Sequence, residues 1–429
     1  MTLRDGAFAG QVMKSGGVRL LGYGGSFVAA AVASSWLGPS DFGRFALGMA
    51  WAALLGSLAL VGTDQLLLRE ISVDPARADA LGRFVLRRVA APTAAAVVVA
   101  IVVSVVQFHD IALSPFAGAL VILLGWTLRQ QSILWARVSF ARATIGSLVL
   151  RPFLQAGLAT ALWIAIGRGD VRWALAAAGA AAAIVASVQQ YLITRAMASV
   201  SGSTDNDLYD KAAWTKAANR FTVVDGTLLL HDYAFVILVG ALASVRDVAS
   251  FVIASRLAAL ATVPLTLVGG VLAPRLASAF ASGEDRSIVQ QVVTKATRFA
   301  VLISMTIAAG LAALHPFVLR LFGAAYRGVT DPLLVLLVAH LVNVACGPVS
   351  RMLLVSGHEG VVRSAVLHGT VLGIGMAIVL VPWLGATGGA IAAATPLVSW
   401  NLEMVSRVRR LLGIVAGPFA TSRSAVASL

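Results

Sequence analysis

The chain is poor in the residues from which most soluble architectures and catalytic centres are made. It has one cysteine in 429 residues, Cys346. An internal disulfide framework is therefore excluded, and the apolar setting of Cys346 marks it as a packing residue. Only 12% of the residues are charged and 7% are aromatic, where soluble domains carry roughly a quarter charged residues. No G-x-x-x-x-G-K-[ST] phosphate loop is present, so ATP is not expected to bind through a P-loop, and no zinc-ligand spacing or nucleophile elbow is found. The first sixteen residues lack the pattern of a cleavable signal peptide.

What the chain does have is apolar sequence: 59% hydrophobic residues and a mean hydropathy of +0.88. A fold in water could not bury that much apolar surface, so lipid is the solvent for most of it. Runs long enough to cross a bilayer, about 20 residues each, lie near 17–37, 42–62, 84–106, 112–134, 144–166, 173–194, 221–244, 248–274, 299–319, 331–354, 364–383 and 387–406. The expected fold is an all-α polytopic membrane protein with twelve transmembrane helices.

The formal charge of +14 fits this reading without nucleic acid as a partner. With the N-terminus inside, 25 of the 33 Lys and Arg residues fall in inner segments, 6 in outer loops and 2, Arg151 and Arg256, within spans. By the positive-inside rule both termini are cytoplasmic. The polar stretch "SGSTDNDLYDKAAW" (201–214) falls near mid-chain. It divides the sequence into an N-terminal six-helix lobe (1–200), a cytoplasmic linker (201–220) and a C-terminal six-helix lobe with a short tail (221–429).

An internal repeat supports two lobes. "PSDFGRFALGMAWAALL" (39–55) and "VRDVASFVIASRLAALA" (245–261) align at a constant offset of 206, with Asp41 on Asp247, Phe45 on Phe251, Ala53 on Ala259 and Leu54 on Leu260. Each opens an even-numbered span at the outer face, and duplicated bundles place a cavity where they meet. Pro39 and Asp41 end one helix and start the next, with Asp41 expected to cap the second.

Ionisable groups inside a bilayer cost roughly 3 kcal/mol or more each, so each needs a reason. Arg256 lies about eight residues into span eight, about 12 Å deep; it either faces a central cavity or makes an ion pair within its lobe. Arg151, in "LRPF", precedes Pro152, which bends span five or opens its backbone. Arg19 and Arg44 lie near the inner end of span one and the outer end of span two, where substrate contact and interfacial anchoring are both open. Asp225 and Asp232 are two turns apart on one face of span seven with Thr222 and Leu229. Asp232, at a depth similar to that of Arg256, is expected to approach it or to share an ion or substrate site. His231 points away from that face, and His340, one turn before Asn343, is a weaker proton-handling candidate. Glu403 and Arg407 are spaced as an i, i+4 pair, and Asp64 reads as interfacial.

Four stretches carry a resemblance. "LGPSDFGRFALGMAWAALLGSLALVGTDQLLLREIS" (37–72) resembles the first helical hairpin of bacterial polysaccharide and O-antigen flippases. "SFVIASRLAALATVPLTLVGGVLAPRLASAFASGE" (250–284) is similar to their eighth helix, "LFGAAYRGVTDPLLVLLVAHLVNVACGPVSRMLLVSGHE" (321–359) to the segment ending in Gly-Pro-Val and Ser/Thr-Gly-His, and "PWLGATGGAIAAATPLVSWNLEMVSRVRRLLG" (382–413) to the last helix. Together they span most of the chain in the right order.

The resemblance implies the superfamily of multidrug, oligosaccharidyl-lipid and polysaccharide exporters, with two six-helix lobes forming a V. It implies alternating-access transfer of undecaprenyl-pyrophosphate-linked oligosaccharide from the inner to the outer leaflet of the bacterial inner membrane, for O-antigen, lipopolysaccharide or related polysaccharides. Membrane lipids, a polysaccharide polymerase and chain-length machinery are the implied partners. Arg256 matches the Arg that receives lipid pyrophosphate in the eighth helix of the related lipid II flippases. With Arg151, Arg44 and Arg19 it forms the expected cationic substrate site, with Asp232, Asp225 and His340 as ion-coupling candidates. No cofactor is expected. A coupling proton is favoured over sodium, because span eleven offers His368 and Thr370 but no Asn or Asp. Two alternatives stand: a drug or metabolite exporter of the same superfamily, and a membrane-embedded polymerase or ligase, which the short outer loops disfavour.

Overall fold

The computed structural model describes residues 3–198, 211–282, 285–320, 322 and 326–420, and side chains from residue 16 on with a few further exceptions. Among the described residues every regular element is helical. Eight helices are long and apolar enough to cross a membrane. Two of these are hairpins written as one helix. The first, within α1 (Leu3–Leu58), turns at Gly38 (φ 73°), directly followed by Pro39; the last, α14 (Glu359–Leu412), turns at Gly385 (φ 53°). A span needs only about 20 residues, and each of these holds two. A further span is α12 (Thr330–Cys346) with α13 (Val349–Val355), bent by 43° at Gly347–Pro348; α8 (Lys211–Leu242) carries a shorter apolar helix, His231–Leu242, where the seventh span is expected. Each of the twelve apolar runs thus falls on a helix among the described residues.

The other helices are α2 (Thr63–Val73), α3 (Ala78–Val106), α4 (Ser114–Arg137), α5 (Phe140–Ile145), α6 (Arg151–Ile166), α7 (Val171–Met197), α9 (Val245–Ala259), α10 (Val263–Ser282) and α11 (Arg286–Arg320). The chain divides into two compact units, residues 17–237 and residues 238–429 with the first sixteen. The division falls inside α8, not in the 201–220 connection, of which 201–210 lie outside the described residues.

Packing explains why the first half of α8 belongs to the first unit. Trp214 and Ala218 are buried in a core with Leu66, Leu67, Ile71, Leu81, Val85 and Leu134, and Phe221 packs against it. The α8 backbone also sits directly on Gly62, where an added Cβ would lie 2.6 Å from the Thr222 nitrogen.

Within the first unit α4 packs against α2, α3 and α7. The buried stripe Ala174, Ala177, Ala178, Ala181 and Ala182 of α7 repeats at three and four residues, which lets helix backbones approach closely where no hydrophobic effect separates helix from lipid. Span two crosses α4 at facing glycines: a Cβ on Gly56 would lie 2.7 Å from the Val121 carbonyl oxygen, and one on Gly125 would lie 2.8 Å from the Gly56 carbonyl. Gly125→Val is expected to cost about 2 kcal/mol by overpacking, read as a lower unfolding midpoint in detergent.

At the end assigned to the inner face, Glu70 holds the turn after α2 together. It accepts from Arg69 at 2.6 Å and from Arg77 at 2.9 Å, and Arg77 also reaches Asp74 at 3.1 Å. Burial of Glu70 favours its neutral form, but the bonds from Arg69, Arg77 and the Trp214 indole outweigh it and hold the carboxyl below its ordinary range. The folded group therefore binds its proton less readily than the unfolded one. Its contribution is complete above the ordinary carboxylate range and is lost as pH falls below it. Glu70→Gln is expected to flatten the acid limb of a stability–pH profile and leave the neutral limb parallel to the parent.

In the second unit α12 packs against α9, α11 and α14, and α10 against α11 and α13. The core is Leu272, Leu276, Val293, Met352, Leu353, Ala365, Met404 and Val408. Asn401, buried in α14, donates to Asn343 Oδ1 at 2.9 Å, so the Asn343 seen beside His340 is used to join two helices. Buried Gln290 exchanges two bonds of 2.8 Å with Val415, tying the segment after α14 to α11.

Candidate functional site

Spans two and eight, aligned by the repeat in sequence, are held differently at their outer ends. Asp247 forms a capping box with Ser244 at the start of α9 and also accepts from the Ala386 backbone N–H at 3.1 Å, capping the twelfth span. Its counterpart Asp41 instead pairs with Arg44 at 3.7 Å. The equivalent approach in the first unit is made by backbone: a Cβ on Gly169, at the entry to span six, would lie 3.0 Å from the Leu37 Cα.

Both helices then break. Span two opens at Ala59–Gly62, with Val61 at φ 49° and Gly62 at φ 68°. Span eight tightens into a 3-10 turn at Leu260–Thr262, ahead of Pro264. After the 206-residue offset the two breaks lie within about one and a half turns of each other.

Arg256 occupies the last turn of α9, one turn before this break. The flanking residues Ile253, Ala254, Leu257 and Ala258 are buried, whereas the Arg256 side chain is exposed on its unit. It does not lie inside the bundle of the second unit.

Arg151 begins α6 and is half-buried. The opening of the backbone expected from Pro152 is a π-turn over Gly146–Leu150, in which the Arg151 N–H bonds to the Gly146 carbonyl. Span one packs tightly on this turn: a Cβ on Gly22 would lie 2.9 Å from the Leu148 carbonyl oxygen, and one on Gly25 would lie 2.9 Å from the Phe153 ring. The guanidinium of Arg151 is within electrostatic reach of Tyr233, which in turn neighbours Asp232.

Tyr233 is the residue that reading the sequence missed. Its only signal there is a phenol in mid-span next to an acid. With Thr222, Gly226 and Leu229 it forms the face of α8 that lines a cavity of about 260 Å³ in the first unit, closed on the other side by Ser57, the Leu60–Gly62 break, Asp64, Gln65 and Leu128. Burial raises the Asp64 carboxyl above its ordinary range, and bonds to the Gln65 and Asp64 backbone partly offset this.

The remaining candidates are dispersed. Asp232 is exposed on α8. The Asp225 side chain lies outside the described residues. Arg19 is half-buried in span one, and Arg44 is exposed beside Asp41 at the outer hairpin. His340 is half-buried in α12, its Nδ1 without a hydrogen bond among the described residues. His231 stacks edge-on against Phe235 with ring centroids 5.7 Å apart. Glu403 takes Arg407 at 3.5 Å, the pair expected from their spacing, and His368 at 3.7 Å. Asp232 belongs to the first compact unit and Arg256 to the second. No group of three or more His, Cys, Asp or Glu among the described residues could hold a metal ion.

No protein-family model and no curated protein matches the sequence. Solved structures do match it. An inward-facing multidrug-resistance MATE-family transporter of the MOP superfamily superposes with a TM-score of 0.68 at 18% identity, over 92% of this chain and 99% of that one. The lipid II flippase MurJ in an inward closed conformation gives 0.68 at 12% identity, over 92% and 87%. A MOP-superfamily transporter from Pyrococcus furiosus, described by the reversed polarity of its binding pocket, gives 0.58 at 16% identity, over 94% and 95%. The chain is a multi-pass membrane protein with the MOP-transporter fold, twelve helices in two six-helix lobes.

Proposed function

We propose that the protein is a flippase for polyprenyl-pyrophosphate-linked oligosaccharide in the bacterial inner membrane, acting in cell-surface polysaccharide synthesis by alternating access. The observation that carries this reading is Arg256: a guanidinium on the exposed face of α9, at about 16 Å along the helix, where its charge suits an anionic passenger. Its planar fork suits paired phosphate oxygens. Arg151, Arg44 and Arg19 would meet the headgroup at other stages of the path, while the polyprenyl tail stays in lipid. The half-buried Arg151, set on a π-turn, is the second cation of this set (π-turns recur at functional sites). Asp232, Asp225 and His340 are the groups to test for coupling to a proton gradient.

The MATE-type neighbours favour a second reading, export of drugs or metabolites; the exposed mid-span Asp232 would then take a cationic substrate. The two readings separate in proteoliposomes. Lipid-linked oligosaccharide is supplied to one leaflet, its accessibility at the other is followed, and cationic dye is added as competitor. The flippase reading expects transfer of the lipid-linked sugar that dye does not inhibit. Dye transport without transfer of the lipid-linked sugar overturns it.

A further inference from the structure

The segment that follows α14 is built as a strap on α11. Residues 413–420 form no helix, yet side chains of α11 hold their backbone at successive levels. Gly413 sits against Arg286, where an added Cβ would lie 2.8 Å from Nη1. Gln290 donates to the Val415 carbonyl and accepts from the Val415 N–H, both at 2.8 Å. Arg298 donates from Nε to the Pro418 carbonyl at 2.6 Å and from Nη2 to the Ala420 carbonyl at 3.5 Å. The strap climbs α11 from Arg286 to Arg298, about 18 Å, and the buried Ile414 and Ala420 pin it near its two ends. All of these residues belong to the second unit.

Between the pins the chain turns over 417–419 and carries the Phe419 ring outward, 92% exposed. The carbonyls on either side of this ring, those of Pro418 and Ala420, are the two that Arg298 holds. The exposure is therefore imposed by bonded backbone. The level at which the ring is held is a second observation. Along the exposed face of α11, Lys295 and Arg298 are followed by Phe299, Leu302 and Met305, which are exposed by 59%, 67% and 55%. The change from basic to apolar marks where this helix enters hydrocarbon. An arginine at such a boundary lays its stem on apolar surface and keeps its head among the phosphates. Phe419, fixed beside Arg298, continues the lipid-facing row of α11 at the end assigned to the inner face. An aromatic ring fixed in this way is unfavourable in water and is buried when it sits at the boundary of headgroups and acyl chains.

We infer that the strap is a lipid anchor, in which Phe419 inserts at the headgroup–acyl boundary of the inner leaflet beside Arg298. Its partner is the bilayer surface itself. The anchor ties the end of span twelve to the entry of span nine, whichever molecule is transported.

The chain has one cysteine, so Cys346→Ala gives a background in which a single new cysteine can carry an apolar, environment-sensitive fluorophore. The full chain with Phe419→Cys is labelled and placed in liposomes with brominated acyl chains, and iodide serves as the aqueous quencher. Gln291→Cys, exposed on α11 about 10 Å farther from the membrane than Arg298, is the aqueous reference, and Leu302→Cys is the lipid reference. The expected result is at least a twofold loss of fluorescence at 419 in brominated lipid, as at 302, with iodide quenching at least fivefold weaker than at 291. A label at 419 that iodide quenches as it does at 291, with no loss in brominated lipid, overturns the inference. Because the label is itself apolar, hydrogen exchange of the unlabelled chain in liposomes gives a second reading. Phe419→Asp is expected to speed exchange over residues 414–420 at least threefold, and Phe419→Trp to leave it unchanged. Equal exchange in the parent and Phe419→Asp overturns the role of the ring in holding the strap.

Discussion

Arg256→Ala is expected to lower translocation of lipid-linked oligosaccharide by ten- to a hundredfold while leaving the protein folded. The side chain is exposed on α9, between residues that are themselves buried, so truncation leaves no cavity in the core. Charge-assisted hydrogen bonds are worth about 1.5–3 kcal/mol, and each 1.4 kcal/mol is a factor of ten, so losing one fork on a phosphate gives that range. Arg256→Lys should fall between parent and Ala, because it keeps the charge and loses the bidentate geometry. Arg246, exposed at the outer end of the same helix, serves as the control: Arg246→Ala should transport normally. An Arg256→Ala protein that folds and transports like the parent would remove the cationic site from the mechanism.

The fold was largely legible because bilayer thickness turns composition into length. Twelve runs of about the right size gave twelve helices, and the Gly-Pro of Gly38–Pro39 and the glycine at 385 fall where two of the hairpins turn. Pro152 likewise marked the π-turn that precedes Arg151. The faces of the helices were not legible. In water an amphipathic stripe separates core from surface. Here lipid and core ask for the same residues, and exposed Leu302, Leu314 and Val338 look in sequence like buried Leu276, Leu333 and Val293. The reading could therefore place Arg256 and Asp232 at a depth but could not assign them to a unit. Nor could it see that Trp214, Ala218 and Phe221 draw the first half of α8 into the first unit. Tyr233 stayed hidden for the same reason: its role comes from the α8 face it shares with Thr222, Gly226 and Leu229.

Gly62→Ala is expected to be the most destabilising small substitution in the first unit, and its effect reaches the site through α8. Gly62 sits at φ 68° in the break of span two, a conformation that costs a residue with a Cβ about 1–2 kcal/mol. The added carbon would also run into the Ala218 carbonyl oxygen and lie 2.6 Å from the Thr222 nitrogen and 2.8 Å from the Phe221 Cβ. Two of these three are backbone, so no rotamer change relieves the contact, and α8 itself must move away. That movement would pull Trp214 and Ala218 from their core and shift the Thr222–Tyr233 face that lines the cavity. Overpacking of this kind costs about 1–3 kcal/mol, so the two effects together come to about 3 kcal/mol. Gly157→Ala is the matched control: it lies on an exposed helical position where a Cβ meets nothing within 4 Å, and should be neutral or slightly stabilising. Unfolding midpoints in detergent should drop by several degrees for Gly62→Ala and hold for Gly157→Ala. A Gly62→Ala protein as stable as the parent would mean that α8 is not seated on the span-two break, and the cavity between them would lose its structural basis.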